Sequence, residues 1–207
     1  MEKKMKKQKV FLTGATGAMG LASLKEILKD IQNQDIVTLA RDSEKNRKIL
    51  APYQDISGLE ILWGDLNDYD MVLQCVRDCD LILHIAAFVS PAADYYPRQA
   101  MQINYGSTRN LIHAIYALGQ ENRTRLVYIG TVAQTGDRMP PIHWGRVGDP
   151  IKPSVFDYYA VSKVAAERLV IESGLKYWVS LRQTGMMGKA IASVEDAIIF
   201  HNCLDNV

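Results

Sequence analysis

Tyr159 and Lys163 stand four residues apart in a helical pattern, so their side chains converge on one face of a helix. A phenol with a pKa of about 10 is a poor base at neutral pH, but an adjacent ammonium favours the phenolate. We therefore expect the pKa of Tyr159 to fall towards the working range. The rival, Tyr158, has Ser162 as its i+4 neighbour, which brings no charge. Because this spacing is common by chance, its meaning depends on what else the chain offers.

Residues 13–20 read Thr-Gly-Ala-Thr-Gly-Ala-Met-Gly and lie between an apolar strand pattern and a helical one. In such a turn Gly14 allows the tight bend, Gly17 lets the backbone approach a pyrophosphate, and Gly20 lets the helix pack closely. The free N–H groups of the helix start suit phosphates. The spacing is one residue longer in the first gap than G-x-G-x-x-G. We predict a dinucleotide phosphate site that also includes Thr16, Ala18 and Met19; the alternative is a glycine-rich turn without a ligand.

The second strand pattern ends in residues 38–42, Thr-Leu-Ala-Arg-Asp. An acid at this point accepts the ribose 2′-OH, whereas an arginine accommodates a 2′-phosphate. Ala40 takes the position of the acid, and Arg41 then faces the 2′ site. Bidentate pairing of arginine with phosphate favours NADP, with NAD as the alternative. Asp42 leaves two interpretations open, a cap for the following helix or repulsion of the phosphate, and two further basic residues are near, Lys45 and Arg47.

These residues must be positioned by a fold in which apolar runs of strand length alternate with helical patterns. The predicted strands are Val10–Thr13, Ile36–Ala40, Leu59–Trp63, Leu81–Ile85, Leu126–Ile129 and Trp178–Leu181. The predicted helices are Gly17–Ile31, Ser43–Leu50, Tyr69–Arg77, Arg98–Leu118 and Asp157–Ser173, and an irregular loop covers Ala133–Val155. Strands joined by crossover helices form a parallel sheet. We predict an α/β, doubly wound domain with a mostly parallel sheet of six or seven strands and helices on both faces.

Thr131 follows the fifth predicted strand, at the carboxyl edge where open α/β sheets bind their ligands. A hydroxyl there can hydrogen-bond a substrate oxygen as hydride leaves or arrives, although a threonine that ends a strand is more often a cap. Together with residues 13–20, Tyr159 and Lys163, it completes a set that is typical of a nicotinamide-dependent enzyme. An oxidised nicotinamide ring would favour the Tyr159 phenolate as the Lys163 ammonium does, so the predicted fall in pKa rests on both charges.

Composition and charge exclude several other classes. The 48% hydrophobic and 23% charged residues suit one soluble core, and a net charge of +1 gives no field for nucleic acid or an anionic membrane. No apolar run approaches the roughly 20 residues that span a bilayer, so we expect a cytoplasmic protein with residues 1–8 as a solvated tail. We expect no disulfide framework and no metal, because no ligand spacing appears among Cys75, Cys79, Cys203, His84, His113, His143 and His201.

Over about residues 9–190 the chain resembles the extended short-chain dehydrogenase/reductases, the epimerase/dehydratase group. The resemblance rests on Thr13-Gly14-x-x-Gly17-x-x-Gly20, Gly64-Asp65-Leu66, His84-Ile85-Ala86-Ala87, Asn104-x-x-x-Thr108-x-Asn110-Leu111, Thr131, Tyr159-x-x-Ser162-Lys163 and Leu181-Arg182-Gln183. The chain departs at Ser107, where glycine is usual, at Gln183, where proline is usual, and in the loose match Gly185-Met186-Met187-Gly188. Jointly the motifs are specific for the family, which implies a Rossmann fold, and poorly specific for a substrate.

The resemblance implies a role for each matched residue. Tyr159 is the acid/base, Lys163 lowers its pKa and binds the nicotinamide ribose, and Thr131 orients the substrate oxygen. Asn104 matches a residue that supports the proton relay, with a structural role as the alternative. The cofactor would also pass the residues after the third and fourth strands, namely Asp65, Leu66, Ala86 and Ala87.

Family members are usually longer, with substrate contacts from a small C-terminal domain. We therefore expect residues 9–190 to form the dinucleotide-binding and catalytic domain, and 191–207 to begin a truncated or absent substrate region. The apolar residues Ala197–Phe200 favour cover by a partner subunit, as in a homodimer, or by further chain. The insertion Met139–Val155, with His143 and Trp144, is expected at the mouth of the substrate site.

The sequence favours an NADP-linked oxidoreductase that acts on a small molecule with a secondary alcohol or ketone. One alternative is a nucleotide-sugar epimerase or dehydratase, since those reactions start with the same oxidation. The dehydratase version is disfavoured because Val132 and Ala133, and no acidic pair, follow Thr131. The other alternative is a module that senses NADP without turnover.

Overall fold

The structure is a computed structural model and describes residues 7–136, 145–146 and 148–185. Several sequence predictions lie outside these residues: most of the basic tail, the segment 191–207, His143, Trp144, Met186-Met187-Gly188, Ala197–Phe200, His201 and Cys203.

A parallel sheet of six strands runs through the described residues, in the order β3-β2-β1-β4-β5-β6. The strands are β1 Gln8–Thr13, β2 Gln34–Ala40, β3 Leu59–Trp63, β4 Leu81–His84, β5 Arg125–Thr131 and β6 Tyr177–Gln183. The chain starts at the centre, moves to one edge, returns and moves to the other edge, so the strand order reverses between β1 and β4. The predicted α/β doubly wound fold is confirmed, and the reversal creates the crevice where such sheets bind ligands.

Seven α-helices connect these strands in the described part of the chain. They are α1 Ala18–Ile27, α2 Glu44–Leu50, α3 Tyr69–Val76, α4 Ala92–Tyr95, α5 Pro97–Ala100, α6 Gly106–Ala117 and α7 Tyr158–Glu172. Short 3-10 turns cover Leu28–Asp30, Ala51–Tyr53 and Val132–Thr135, and a π-helical turn covers Met101–Tyr105. None of the helices among the described residues has the length and apolarity to cross a membrane.

Two apolar cores form because successive strand residues point to opposite faces of the sheet. Phe11 belongs to the larger core with buried residues of α3, α6 and α7, while its neighbour Leu12 belongs to the other core with residues of α1 and α2. The strands β1 and β2 are buried on both faces, whereas β4 and β5 are buried on one face and half-buried on the other. The two cores fix the strands in a rigid sheet, and because the strands are parallel, their carboxyl ends all lie at the same edge of that sheet.

The predicted long helix Arg98–Leu118 is confirmed as one uninterrupted helical stretch, in which α5, the π-helical turn Met101–Tyr105 and α6 follow one another directly. The π turn within it and the helix α4 before it were not predicted. The π turn contains Asn104, whose side chain bonds to the backbone of Phe88. Insertion of a wider turn reorients one side chain without ending the helix, which an apolar periodicity does not reveal. The predicted irregular loop from Ala133 likewise begins as a 3-10 turn.

Candidate active site

The glycine turn joins β1 to α1 and is shaped by close backbone contacts. Gly14 has a φ of 77°, and a Cβ on it would lie 2.8 Å from the Ala86 nitrogen. A Cβ on Gly20 would overlap the Gly14 carbonyl, so these two glycines are required by the protein itself. At Gly17 a Cβ would lie 3.5 Å from the Gly14 oxygen, an ordinary contact. The exposed Gly17 therefore leaves room for the close approach of a ligand.

A buried chain of hydrogen bonds ties this turn to β4 and α6. Thr13 Oγ1 accepts the N–H groups of Ile85 and Ala86, both at 3.0 Å, so its own proton must go to His84 Nδ1 at 3.0 Å. His84 is then the neutral tautomer with its proton on Nε2, which donates to Thr108 Oγ1 at 3.0 Å. Burial, with a smaller effect from Lys163, lowers the pKa of His84 to about 3 and keeps the ring neutral.

The residues predicted along the rest of the cofactor path lie at the same carboxyl edge. Ala86 and Ala87 are half-buried just past β4, and exposed Asp65 follows β3. Asp65 Oδ1 accepts the backbone and side-chain N–H groups of Asn67, at 2.8 and 2.9 Å. The Leu66 carbonyl accepts Asn110 Nδ2 at 3.0 Å, which ties this loop to α6.

Arg41 is exposed directly after β2. Asp42 does not cap α2, since Ser43 is the N-cap and accepts the Asn46 N–H at 3.2 Å. Asp42 forms a bidentate pair with Arg47, at 2.6 and 2.8 Å, and Arg47 lies 4.6 Å above the Trp63 ring. The pair lowers the pKa of Asp42, mainly through the hydrogen bonds from Arg47. The negative charge nearest to Arg41 in sequence is thus already paired.

Tyr159 lies in the first turn of α7, which Asp157 caps by accepting the Ala160 N–H at 2.7 Å. Asp94 Oδ1 accepts the N–H groups of Tyr158 and Tyr159, at 3.1 and 3.5 Å, from the side of α4. The rival Tyr158 is 40% exposed, whereas Tyr159 is half-buried. The unpredicted α4 thus helps to fix the helix start that presents Tyr159.

Lys163 is only 2% exposed, and its Nζ lies 4.1 Å from the centre of the Tyr128 ring. Among the described residues its ammonium donates no hydrogen bond. Burial lowers the pKa of Lys163 to about 7, while the Glu167 carboxylate acts in the opposite direction. Tyr128 holds the same helix turn by donating its hydroxyl proton to the Lys163 carbonyl at 3.1 Å. The site therefore contains a buried cation that is compensated by cation–π attraction to Tyr128 and by the charge of Glu167, without a hydrogen bond to the described residues.

The protein groups alone do not lower the pKa of Tyr159, so the predicted fall, which depends on an oxidised nicotinamide as well as on Lys163, stays a prediction for the complex. Burial, with a smaller effect from the Asp157 carboxylate, raises the pKa of Tyr159 to about 12. Lys163 does not counter this effect because its own burial disfavours the ammonium. Activation of the phenol therefore requires positive charge from beyond these side chains.

Thr131 ends β5, is 8% exposed and caps the 3-10 turn Val132–Thr135. Its Oγ1 accepts the Ala133 N–H at 3.3 Å, and its N–H donates to Gln134 Oε1 at 2.7 Å. Its hydroxyl proton forms no hydrogen bond among the described residues and can be offered to a substrate oxygen. The cap role and the predicted substrate role are thus compatible in one side chain.

Asn104 is buried, and its whole side chain is committed to protein partners. Its Oδ1 accepts the Phe88 N–H at 2.7 Å, and its Nδ2 donates to the Phe88 carbonyl at 3.0 Å and to Ser162 Oγ at 2.8 Å. Ser162 in turn donates to the Tyr159 carbonyl at 2.8 Å. The side chain connects the π-helical turn to α7, one turn from Tyr159.

Sequence reasoning missed the groups behind the site. Buried Gln134 and Glu167 connect the Thr131 turn to α7, and Tyr128 lies under Lys163. One signal was available for Glu167: it follows Lys163 by four residues, as Lys163 follows Tyr159, so the three share a helix face. In the described part of the chain no cluster of three or more His, Cys, Asp or Glu side chains could hold a metal ion.

Comparison with known proteins identifies relatives of the whole domain. Residues 10–198 match the model of the NAD dependent epimerase/dehydratase family. The 3β-hydroxysteroid dehydrogenase/Δ5→4-isomerase of Vaccinia virus (strain Ankara) is 28% identical over 196 residues, which are 86% of this chain and 52% of the viral protein. An inverting UDP-N-acetylglucosamine 4,6-dehydratase of Campylobacter jejuni is 26% identical over 114 residues, 55% of this chain and 34% of that protein. The chain thus spans about half the length of its longest-matching curated relatives.

Solved structures show the same fold. The Bordetella bronchiseptica enzyme WbmH, crystallised with NAD+, has a TM-score of 0.75 and 25% identity, over 96% of this chain and 63% of the enzyme. DesIV, a dTDP-glucose 4,6-dehydratase of Streptomyces venezuelae with NAD bound, has a TM-score of 0.76 and 21% identity, over 96% of this chain and 63% of DesIV.

Proposed function

The chain belongs to the NAD dependent epimerase/dehydratase family, and from that premise we propose that it moves hydride between a nicotinamide dinucleotide and the carbon of a secondary alcohol or ketone. The observation that carries the proposal is the buried Lys163 ammonium, which donates no hydrogen bond to the described residues. A buried charge without partners is costly unless a ligand supplies them. The ribose hydroxyls of a dinucleotide are such partners, and the Gly17 backbone leaves space for its phosphates.

Each catalytic side chain has a distinct task in this proposal. When bound, the nicotinamide exchanges the hydride. Tyr159 takes the proton of the substrate hydroxyl when the alcohol is oxidised and returns it when the ketone is reduced. Thr131 donates its free hydroxyl proton to the substrate oxygen, and Lys163 donates to the ribose and stabilises the Tyr159 phenolate. Asn104 positions α7 through Ser162.

Proton transfer requires the pKa of Tyr159 to fall from about 12. Lys163 would donate hydrogen bonds to the ribose hydroxyls of a bound dinucleotide, which would raise the pKa of its ammonium and keep it charged at neutral pH. A charged Lys163 and an oxidised nicotinamide both favour the phenolate. The tyrosine is thus activated only in the complex, which suits an enzyme that binds its cofactor before its substrate.

We propose NADP as the cofactor, with NAD as the alternative. Ala40 leaves no carboxylate for a 2′-OH at the end of β2, and exposed Arg41 can receive a 2′-phosphate. Because Arg47 pairs with Asp42, the repulsion between Asp42 and the phosphate is reduced. NAD remains the alternative because WbmH and DesIV were crystallised with it.

A nucleotide-sugar epimerase or dehydratase is the second candidate, favoured by the dehydratase relative from Campylobacter jejuni. The apolar side chains of Val132 and Ala133 after Thr131 disfavour the dehydratase. The third candidate, a sensor that binds NADP without turnover, is disfavoured by the presence of Thr131, Tyr159 and Lys163 together.

The organisation of the chain follows from the same proposal. Residues 9–190 form the cofactor-binding and catalytic domain, and the partner is a small molecule, with no nucleic acid or membrane and with a homodimer as the candidate assembly. The free, buried thiols of Cys75 and Cys79 suit a reducing, cytoplasmic location.

Fluorescence titration tests the cofactor assignment. We expect NADPH to bind more tightly than NADH, and Arg41→Ala to bring the two dissociation constants close together. Arg77→Ala, which removes an exposed arginine elsewhere, is the control and should preserve the preference. Equal affinities in the native protein would overturn the 2′-phosphate assignment.

Turnover assays with a panel of ketones, hydroxysteroids and nucleotide sugars test the reaction. Tyr159→Phe should abolish cofactor oxidation or reduction while cofactor binding stays nearly intact, and Tyr158→Phe is the matched control that should retain activity. Absence of turnover across the panel, with tight cofactor binding, would favour the sensor.

A further inference from the structure

Glu167 is a buried carboxylate with a complete set of donors. It is 1% exposed and lies on α7, one turn after Lys163. Arg182 donates to both of its oxygens, with Nε at 3.1 and 3.2 Å and Nη2 at 2.9 Å, and Ser180 donates to Oε1. Gln134 Nε2 donates to Oε2 at 2.7 Å. The charge is therefore held in place from β6 and from the turn after Thr131.

Gln134 makes this carboxylate part of the Thr131 turn. Its side chain is fully buried, and its Oε1 accepts the Thr131 N–H while its Nε2 reaches Glu167 and, at 3.4 Å, the Lys163 carbonyl. A Cβ on Gly130 would lie 2.6 Å from the Gln134 oxygen, so glycine is needed for the amide to fold back. Two intervening side-chain contacts, from the Thr131 backbone to Gln134 and from Gln134 to Glu167, thus join Thr131 to α7.

Glu167 lies one turn after Lys163 on the same buried face of α7, and its negative charge favours the ammonium form of Lys163. The other titratable groups that face Lys163 are Tyr159 on its own helix, Tyr128 on β5 and His84 on β4, and all three are neutral near pH 7. Arg182 on β6 pairs with Glu167 and offsets part of its charge. Glu167 is therefore the one anion among the described groups that acts on Lys163.

We propose that Glu167 is a positioning residue for the reaction proposed above: through Gln134 it fixes Thr131 against α7, and its carboxylate holds the charge of Lys163. The inference rests on the proposed function, because Thr131 and Lys163 take their roles from it. A buried ion pair is weak evidence for stability, since well-packed apolar residues often do as well. Here the pair is connected to the two residues whose geometry and charge the reaction needs.

Side-chain NMR of the Lys163 Nζ and Cε nuclei in the protein without cofactor measures the effect of the charge. Glu167→Gln should lower the midpoint of the Lys163 titration by about one unit or more. Arg182→Gln, which leaves the carboxylate uncompensated, should raise it. Glu172→Gln removes an exposed carboxylate from the same helix and is the control that should leave the midpoint unchanged.

Shifts of the Lys163 titration midpoint in opposite directions in the Glu167 and Arg182 variants support the proposal. If the ion pair were merely structural, both variants would lose stability, but the Lys163 midpoint would not differ between them. If one variant fails to fold, the direction in which the Lys163 midpoint moves in the other variant still tests the proposal. A midpoint that is unchanged, or that moves the opposite way, overturns the electrostatic part of the proposal.

Amide hydrogen exchange measures the geometric part. Gln134→Met should speed exchange of the Thr131 N–H by about fivefold or more, as expected for a lost buried hydrogen bond, while the Lys163 midpoint changes little. Unchanged exchange overturns this part. None of these measurements uses cofactor or substrate, so failure of NADPH and NADH to bind would overturn the proposed function and leave this result standing.

Discussion

The two ends of the proposed cofactor site differ in composition: one is formed by backbone and the other by buried side chains. The phosphate end consists of backbone at Gly14, Gly17 and Gly20, and its nearby charges at Arg41 and Arg47 are exposed. The catalytic end consists of buried polar side chains, among them Lys163 and Glu167, that only the surrounding protein holds in place.

This difference determines how each end fails. Backbone that lies in contact with backbone tolerates no added atom, whereas a buried charge fails when a partner is removed. The phosphate end should therefore lose structure when a side chain is added. At the catalytic end, removal of the buried Lys163 charge should stabilise the protein, at the expense of function.

The largest effect is expected from an added methyl group at the phosphate end. Gly20→Ala directs its Cβ into the Gly14 carbonyl and should lower the free energy of unfolding by about 3 kcal/mol or more. Gly17→Ala is the matched control: it meets only an ordinary contact, so its stability should change by no more than ~1 kcal/mol, while NADPH binding weakens. Thermal unfolding and fluorescence titration measure both. Equal destabilisation by the two variants would contradict the division of roles among the glycines.

The next effect is expected at the catalytic end, where Lys163→Met should stabilise the protein and weaken NADPH binding. The folded-state pKa of Lys163 is about 7 and its ordinary value is 10.5, so the penalty of the buried charge is complete below pH 7. Between pH 7 and 10.5 the unfolded chain binds more protons, and the native protein gains up to ~1.4 kcal/mol per pH unit. The advantage of methionine should therefore be largest below pH 7 and fade as the pH rises.

Urea unfolding across this pH range measures the difference. Lys176→Met is the control, because Lys176 is exposed and its ammonium also lies over a tyrosine ring, 5.1 Å from the centre of Tyr177. The Lys176→Met variant should show no pH-dependent gain in the free energy of unfolding. A constant difference between Lys163→Met and the native protein at all pH values would refute the buried-charge interpretation.

The smallest effect is expected from the exposed pair at the phosphate end. Asp42→Asn should leave the melting temperature nearly unchanged, because exposed ion pairs contribute little. The NADPH affinity should rise modestly, by about twofold, as one negative charge leaves the neighbourhood of Arg41. Glu44→Gln, which breaks the exposed pair with Lys48 on the same helix, is the control. A large loss of stability on Asp42→Asn would show that the two ends are less different than proposed.

The same contrast explains what could be read from the sequence. Glycine at positions 14, 17 and 20 and the alternation of strands and helices follow local rules, so the fold and the phosphate turn were predictable. The strand Leu59–Trp63 has the predicted bounds, and the other strands extend one or two residues further at one or both ends or, for β4, end one residue earlier. The family assignment, confirmed by the match over residues 10–198, rests on those local motifs.

The arrangement behind the catalytic residues could not be read in this way. Gln134 becomes meaningful only when the chain folds and brings it against Glu167, 33 residues later. The π turn around Asn104 brings its side chain to the backbone of Phe88, a contact that periodicity does not encode. The pKa of Tyr159 was predicted from the charges of Lys163 and an oxidised nicotinamide, whereas in the protein alone burial, which a sequence does not state, dominates it.

His84, which connects the glycine turn to α6 by hydrogen bonds, makes the folded protein less stable in acid. Its folded-state pKa of about 3 lies below the ordinary value of 6.5, so in that range the unfolded chain takes up a proton that the folded ring refuses. Each pH unit below 6.5 then removes up to ~1.4 kcal/mol from the free energy of unfolding, until about pH 3. The residue that joins the glycine turn to α6 at neutral pH thus also favours unfolding when the solution is acidified.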